Sequence, residues 1–288
     1  MDSLVASYNA LDAVVSPAVI NFLTSLGADM TQTPLTKDWW FVNSATPFIL
    51  FNVFYLGVLA IFYPLIMFTQ NPNAVKKPDG PVLRMVAIVH NAFLALLSLW
   101  MGVMTIYYVF KNNYTLWGEA YIMERDADIA WVFYVFYISK YYEFIDTFLM
   151  LIKGNLRQVS FLHVFHHTST GFIFWLVTRC APGGDAWFCI AFNSWVHVVM
   201  YTYVLFYNII SASFATQLCC YGNQRQRISS RMLDEPGMYM HLYINVMLGF
   251  YPNLSLCSIT HFPAFIIILL SFLVLVQLLP ADGVHQVP

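Results

Sequence analysis

Apolar runs of about 20 residues, separated by short polar links, dominate the pattern along this chain. They fall at about 47–68, 85–110, 129–152, 159–177 and 186–210, and each is long enough to cross a bilayer. The links at 69–83, 111–128, 153–157 and 179–184 are rich in charged residues, proline and glycine. Ahead of them, residues 1–45 read as a mixed leader ending in Trp39 and Trp40, an interfacial anchor before the first span. Beyond Gln217 the pattern degrades: 217–231 is polar and basic, and 236–259 is interrupted by Pro252. One clear apolar run returns at 263–279. The pattern predicts an all-α polytopic membrane bundle with a leader (1–45), a membrane core (46–217) and a divergent C-terminal segment (218–288).

Composition agrees with that reading. The chain is 59% hydrophobic and only 10% charged, with a mean hydropathy of +0.64, whereas a soluble domain carries roughly 25% charged residues. A formal net charge of −2 offers no basic face for a nucleic-acid partner. Cys180, Cys189, Cys219, Cys220 and Cys257 show no C-x-x-C pair, so they read as packing residues and not as a disulfide framework. The first residues lack a signal peptide's basic start and cleavage site, so the first membrane helix is expected to direct insertion. Lys76, Lys77, Arg84, Lys153, Arg157, Arg225, Arg227 and Arg231 would share one side; Lys37, Lys111, Arg125 and Arg179 would share the other. The more basic side should be cytosolic. That puts the N-terminus and the sequon Asn113-Tyr114-Thr115 in the lumen.

Three of these spans carry ionisable or polar side chains where lipid would exclude them, and such residues are usually functional. Lys140, Glu143 and Thr147 recur at i, i+3, i+7, with Asp146 beside them. His163, His166 and His167 follow i, i+3, i+4, one face of a single helical turn, among Phe, Leu and Val. Asn193, His197, Met200 and Tyr201 share a face of the next span. At about 1.5 Å per residue, His166 lies roughly 13 Å and His197 roughly 20 Å from the cytosolic end, so the three faces should look into one cytosolic pocket. Each also has a plainer reading. Lys140 and Glu143 could serve only to neutralise each other, His197 could be a satisfied core histidine, and Met200, Tyr201 and Tyr203 could simply pack. Packing has no use for three clustered imidazoles.

In order and spacing, K-x-x-E-x-x-D-T at 140–147, H-x-x-H-H at 163–167 and N-x-x-x-H-x-x-M-Y at 193–201 resemble the ELO family. Its members are very-long-chain fatty acid elongases of the endoplasmic reticulum, and the resemblance covers about residues 35–217. It implies a multi-pass, seven-helix endoplasmic-reticulum enzyme, a 3-oxoacyl-CoA synthase and hence an acyltransferase. The substrates would be a long-chain acyl-CoA and malonyl-CoA, with no further cofactor and no metal. Membrane lipid, the reductases and dehydratase of the elongation cycle, and a second copy in a homodimer are the partners it suggests. Val164 inside the histidine box is more like the polyunsaturated or very-long-chain members than the saturated subgroup, which tends to have Trp there.

Such chemistry suits these residues. His166 or His167 would take the acyl group as an acyl-imidazole, or activate malonyl-CoA directly, with His163 beside them. His197 would serve as partner base or donate a hydrogen bond to the enolate oxygen. Lys140, Glu143, Asp146, Thr147, Asn193 and Tyr201 would orient substrate and imidazoles. The rival reading is a membrane di-iron desaturase or hydroxylase, which also carries H-x-x-H-H but needs several histidine boxes. Here His90, His197, His241, His261 and His285 are solitary in sequence, and adjacent rings do not readily give one ion three ligands. A seven-helix receptor or transporter is a second rival, and it gives the box no purpose.

After Thr216-Gln217-Leu218 the family pattern breaks into CCYGNQRQRISSRMLDEPG, and the expected basic tail is missing. Codons for Gln224-Arg225-Gln226-Arg227-Ile228-Ser229-Ser230, read one base later, can spell Asn-Ala-Asn-Ala-Tyr-Leu-Leu, which resembles the family's sixth helix. A frameshift or retained intron near Leu218 would account for the divergence. The nucleotide sequence tests this.

Overall fold

The computed structural model describes residues 2–70, 80–115 and 118–217, with side chains described as far as Ile209. The expectations for 218–288, and those on Lys76, Lys77, His241, His261, His285, Cys219, Cys220 and Cys257, lie outside the described residues. Within them the chain is helical: α1 (Asp2–Ser25), α2 (Thr46–Thr69), α3 (Pro81–Lys111), α4 (Met123–Tyr142), α5 (Phe144–Ile152), α6 (Phe161–Cys180) and α7 (Trp187–Gln217). No strand occurs among the described residues. In lipid only a helix satisfies its own backbone without a partner segment, so the apolar runs fold as helices.

Helix starts follow local chemistry. Pro47 and Pro81 sit in the first turns of α2 and α3, where a missing N–H costs nothing. Ser160 caps α6, its hydroxyl accepting the His163 N–H at 3.2 Å. The spans expected at 47–68, 85–110, 159–177 and 186–210 correspond to α2, α3, α6 and α7.

Two expectations change. The leader holds α1, a 24-residue helix. Residues 3–25 of it are apolar and long enough to cross a membrane, as are Thr46–Thr69, Pro81–Lys111 and Gly184–Ile209. The run at 129–152 is two helices, broken at Glu143. There the N–H of Glu143 still reaches Ser139 O at 2.9 Å, and the Asp146 N–H bonds Glu143 O at 3.0 Å. The chain therefore tightens at the break and does not unwind. The break lies where the side chains of Lys140 and Glu143 turn onto each other, 2.7 Å apart.

α3 packs most extensively on α7, and α4 on α6. Gly102 lets α7 approach, since a Cβ there would stand 3.3 Å from the Trp195 ring. One apolar core gathers Phe133, Phe136, Tyr137, Phe174, Trp175 and Ile190; a second gathers Tyr55, Leu59, Phe144, Leu151 and Val159. Lys140 and Glu143 lie on the stretch that joins Tyr137 of the first core to Phe144 of the second. The loops at one end form a clasp. Arg179 donates to Val42 O (3.1 Å) and Asn43 O (2.8 Å), and Trp175 Nε1 donates to Ser44 O at 3.2 Å. At the other end Gln70 Nε2 of the α2 terminus donates to Gly154 O at 3.1 Å. These bonds hold the ends of α2, α5 and α6 in place, and so fix the depth of the polar residues between them.

Candidate active site

The break at Glu143 places its carboxylate in the middle of the bundle, buried together with Lys140, His167, Asn193 and His197. Lys140 Nζ donates to Glu143 Oε1 at 2.7 Å and to Asn193 Oδ1 of α7 at 3.0 Å. That satisfies an ammonium that is 0% exposed, an arrangement required of any charge taken out of water. His167 Nδ1 of α6 stands 3.8 Å from Glu143 Oε2, and His197 Nδ1 of α7 stands 3.6 Å from Oε1. Both nitrogens, and Glu143 Oε2, are buried with no hydrogen-bond partner. Two imidazoles from different helices thus present the same nitrogen to one carboxylate. With Nδ1 turned that way, the Nε2 atoms are left for chemistry.

The remaining box residues are held beside this centre. His163 Nε2 lies 2.8 Å from Thr147 Oγ1, which is itself 3.0 Å from Tyr55 OH of α2. His166 Nδ1 lies 3.3 Å from Thr170 Oγ1. The His163 and His166 rings sit 4.4 and 5.6 Å from the His167 ring, centroid to centroid. Asp146 has partners of its own. Its Oδ2 accepts from Tyr201 OH at 2.6 Å and its Oδ1 is 2.8 Å from His90 Nε2.

The structure therefore brings the three sequence motifs into one polar cluster spanning α4–α7. Lys140 and Glu143 do pair, yet the pair also faces two histidines. Lys140 donates to both Asn193 and Glu143, and Tyr201 donates to Asp146. Tyr203, by contrast, is exposed on the outer surface. Two residues of the cluster escaped the motifs, His90 and Tyr55. His90 is solitary in sequence, but it is an ionisable side chain inside an otherwise uncharged run, which was the available signal. Tyr55 gave none. Among the described residues no group of three His, Cys, Asp or Glu side chains is arranged to hold a metal ion. A cavity of about 500 Å³ lies elsewhere, between α2 and α5, lined by Val58, Phe62, Ile66, Phe148 and Leu151.

Fold and site together define a helical membrane protein with a buried histidine–carboxylate centre. Residues 40–221 match the family described as ELO: GNS1/SUR4 family, and the chain belongs to it. The match stops close to where the sequence pattern breaks. A protein named fatty acid elongase 6 from Leishmania major is 41% identical over 121 residues, 42% of this chain and 32% of that protein. Very long chain fatty acid elongase 5 from Xenopus tropicalis is 31% identical over 174 residues, 60% of this chain and 56% of its own length. The human protein of that name is 32% identical over 169 residues, 58% and 54%. The chain thus spans about a third to just over half the length of these relatives.

Proposed function

We propose that this chain is a 3-oxoacyl-CoA synthase that condenses a long-chain acyl-CoA with malonyl-CoA, releasing CO2 and CoA. The observation that carries the reading is the Glu143 carboxylate set between His167 Nδ1 and His197 Nδ1, at 3.8 and 3.6 Å. Family membership and the names of its relatives support the reaction class.

The steps follow from what imidazoles do. An Nε2 lone pair of His166 or His167 attacks the thioester carbonyl, the C–S bond breaks, and CoA leaves as the thiol with the proton that the acylated ring gives up. Malonyl-CoA then loses its carboxylate as CO2, and the electron pair of that C–C bond becomes an enolate. The enolate carbon attacks the acyl-imidazole, forms the new C–C bond and releases the histidine. His197, whose Nδ1 faces the same carboxylate, donates to the enolate oxygen from Nε2–H as the imidazolium, and that proton then returns the released histidine to its neutral form. Glu143 keeps both rings oriented, as a buried carboxylate does for a catalytic histidine elsewhere. Lys140 holds Glu143 in place, and Asn193 accepts from the same ammonium. The endoplasmic reticulum is the compartment this reading assigns. The cycle's reductases and dehydratase are its partners, and polyunsaturated chains are its preferred donors on the strength of Val164.

The test is a condensation assay in microsomes from yeast expressing the chain, with malonyl-CoA labelled at C2 and a panel of acyl-CoAs. Labelled products two carbons longer are expected, most of all from polyunsaturated donors, and His166→Ala should abolish them while the protein stays in the membrane. No labelled product from any donor, with the chain inserted, would remove the proposal. Normal elongation by His166→Ala would remove the role of that histidine.

A further inference from the structure

His90 lies on α3, outside every motif named above, yet its ring reaches the centre. Its Nε2 is 2.8 Å from Asp146 Oδ1, and facing a carboxylate that nitrogen donates. The other oxygen of the same carboxylate, Oδ2, accepts the Tyr201 hydroxyl at 2.6 Å. Asp146 is therefore gripped from two sides, by a donor on α3 and a donor on α7. The Tyr201 ring in turn meets the His197 ring edge-on, with centroids 5.3 Å apart and planes at 89°. The His90 ring is stacked on Tyr142 of α4, centroids 5.2 Å apart and planes at 25°. A buried ring fixed by a stack and one charge-assisted bond has little freedom left.

We infer that His90 is a positioning residue: through Asp146 it fixes the Tyr201 hydroxyl, and through the Tyr201 ring it sets the orientation of His197. The inference rests on the condensation reading, but its physical content is the three-helix link itself. Asp146 and Tyr201 are then assigned to alignment and not to substrate.

His90→Phe keeps the stack on Tyr142 and loses the donor, whereas His90→Gln can still donate to Asp146. His90→Phe should lower kcat about 10- to 100-fold, the scale expected when a reacting group is misplaced by about an ångström. It should leave KM for malonyl-CoA within about twofold, because no substrate contact is removed. His90→Gln should restore most of the rate. Tyr201→Phe should resemble His90→Phe, and the double variant should be no worse than the weaker single, since both cut one link. Wild type, His90→Phe, Tyr201→Phe and the double variant, purified in detergent, give a melting-temperature cycle that needs no activity.

Wild-type kcat in His90→Phe, a loss that His90→Gln fails to rescue, or multiplicative losses in the double variant would each overturn the inference. If the wild-type chain forms no condensation product, the synthase reading fails on its own account. The melting cycle then decides the link: non-additive losses support it and additive losses overturn it.

Discussion

Glu143 carries one carboxylate, and Lys140, Ser139, His167 and His197 all face it. Two roles can be separated there, neutralising Lys140 and orienting two imidazoles. Lys140→Met leaves Glu143 buried without its counter-ion, which should cost about 3–5 kcal/mol, read as a lowered melting temperature in detergent. Lys140→Met combined with Glu143→Gln removes both charges and should recover most of that loss, yet remain inactive because the histidines have lost their carboxylate. Full activity in the double variant would reduce Glu143 to a neutralising role. Much of this centre is legible in the sequence, because the spacing of His163, His166 and His167 and of Lys140, Glu143 and Thr147 fixes a helix face whatever packs against it. His90 is not. One imidazole in an apolar run states no partner, and only the approach of α3 to α5 supplies Asp146. Nor could spacing tell that the Lys140 ammonium is spent on Glu143 and Asn193.

Helix bounds were legible for α2, α3, α6 and α7, where long apolar runs meet proline or a capping serine. The break between α4 and α5 was hidden, since neither Gly nor Pro marks it and hydropathy continues through Glu143. Hidden too was the role of the acidic link after α3. It is a clasp: Asp185 accepts the N–H groups of Gly118 (3.1 Å) and Glu119 (2.7 Å), while the Glu119 carboxylate accepts from Thr115 and pairs with Arg125. Burial alone would raise the pKa of Glu119, but the Thr115 N–H and hydroxyl and the Arg125 guanidinium together more than offset it, so the carboxyl sits below its ordinary value. A depressed carboxyl pKa contributes stability that is present above the unfolded value, and it is lost as pH falls through the folded one. Glu119→Gln should therefore lower the melting temperature at pH 7, by an amount corresponding to about 1–2 kcal/mol. The gap from wild type should close as pH falls below the ordinary carboxylate range, around pH 4. A gap that stays constant across that range would mean the clasp draws nothing from the charge on Glu119.

The whole molecule has two unlike ends. Gln70 and Gly154 meet at one, where Lys153, Arg157 and Arg84 also lie. Asp185 gathers the 118–119 backbone at the other, where Glu119, Glu124, Asp126 and Asp128 cluster. The 31 residues of α3 separate them, about 46 Å at 1.5 Å per residue and more than a hydrocarbon core is thick. Of the four bases assigned to the acidic end, Lys111 and Arg125 are paired with acids, and Arg179 is turned inward onto the carbonyls of Val42 and Asn43. The basic end is thus the one that should remain in the cytosol during insertion. The catalytic reading needs the same orientation, because malonyl-CoA is cytosolic and the histidine box starts only a few residues from Arg157. Asn113 reports it directly: its side chain is exposed at the acidic end, in the sequon Asn113-Tyr114-Thr115. In microsomes the chain should carry a glycan there, seen as an electrophoretic shift that endoglycosidase removes and that Asn113→Gln reduces; Asn253-Leu254-Ser255 is a second sequon, so the comparison is made in an Asn253→Gln background. A cysteine placed at Asn113 that reacts with an impermeant thiol reagent added from the cytosolic side of sealed microsomes would reverse the bundle. His166 and His197 would then face the compartment that holds no malonyl-CoA.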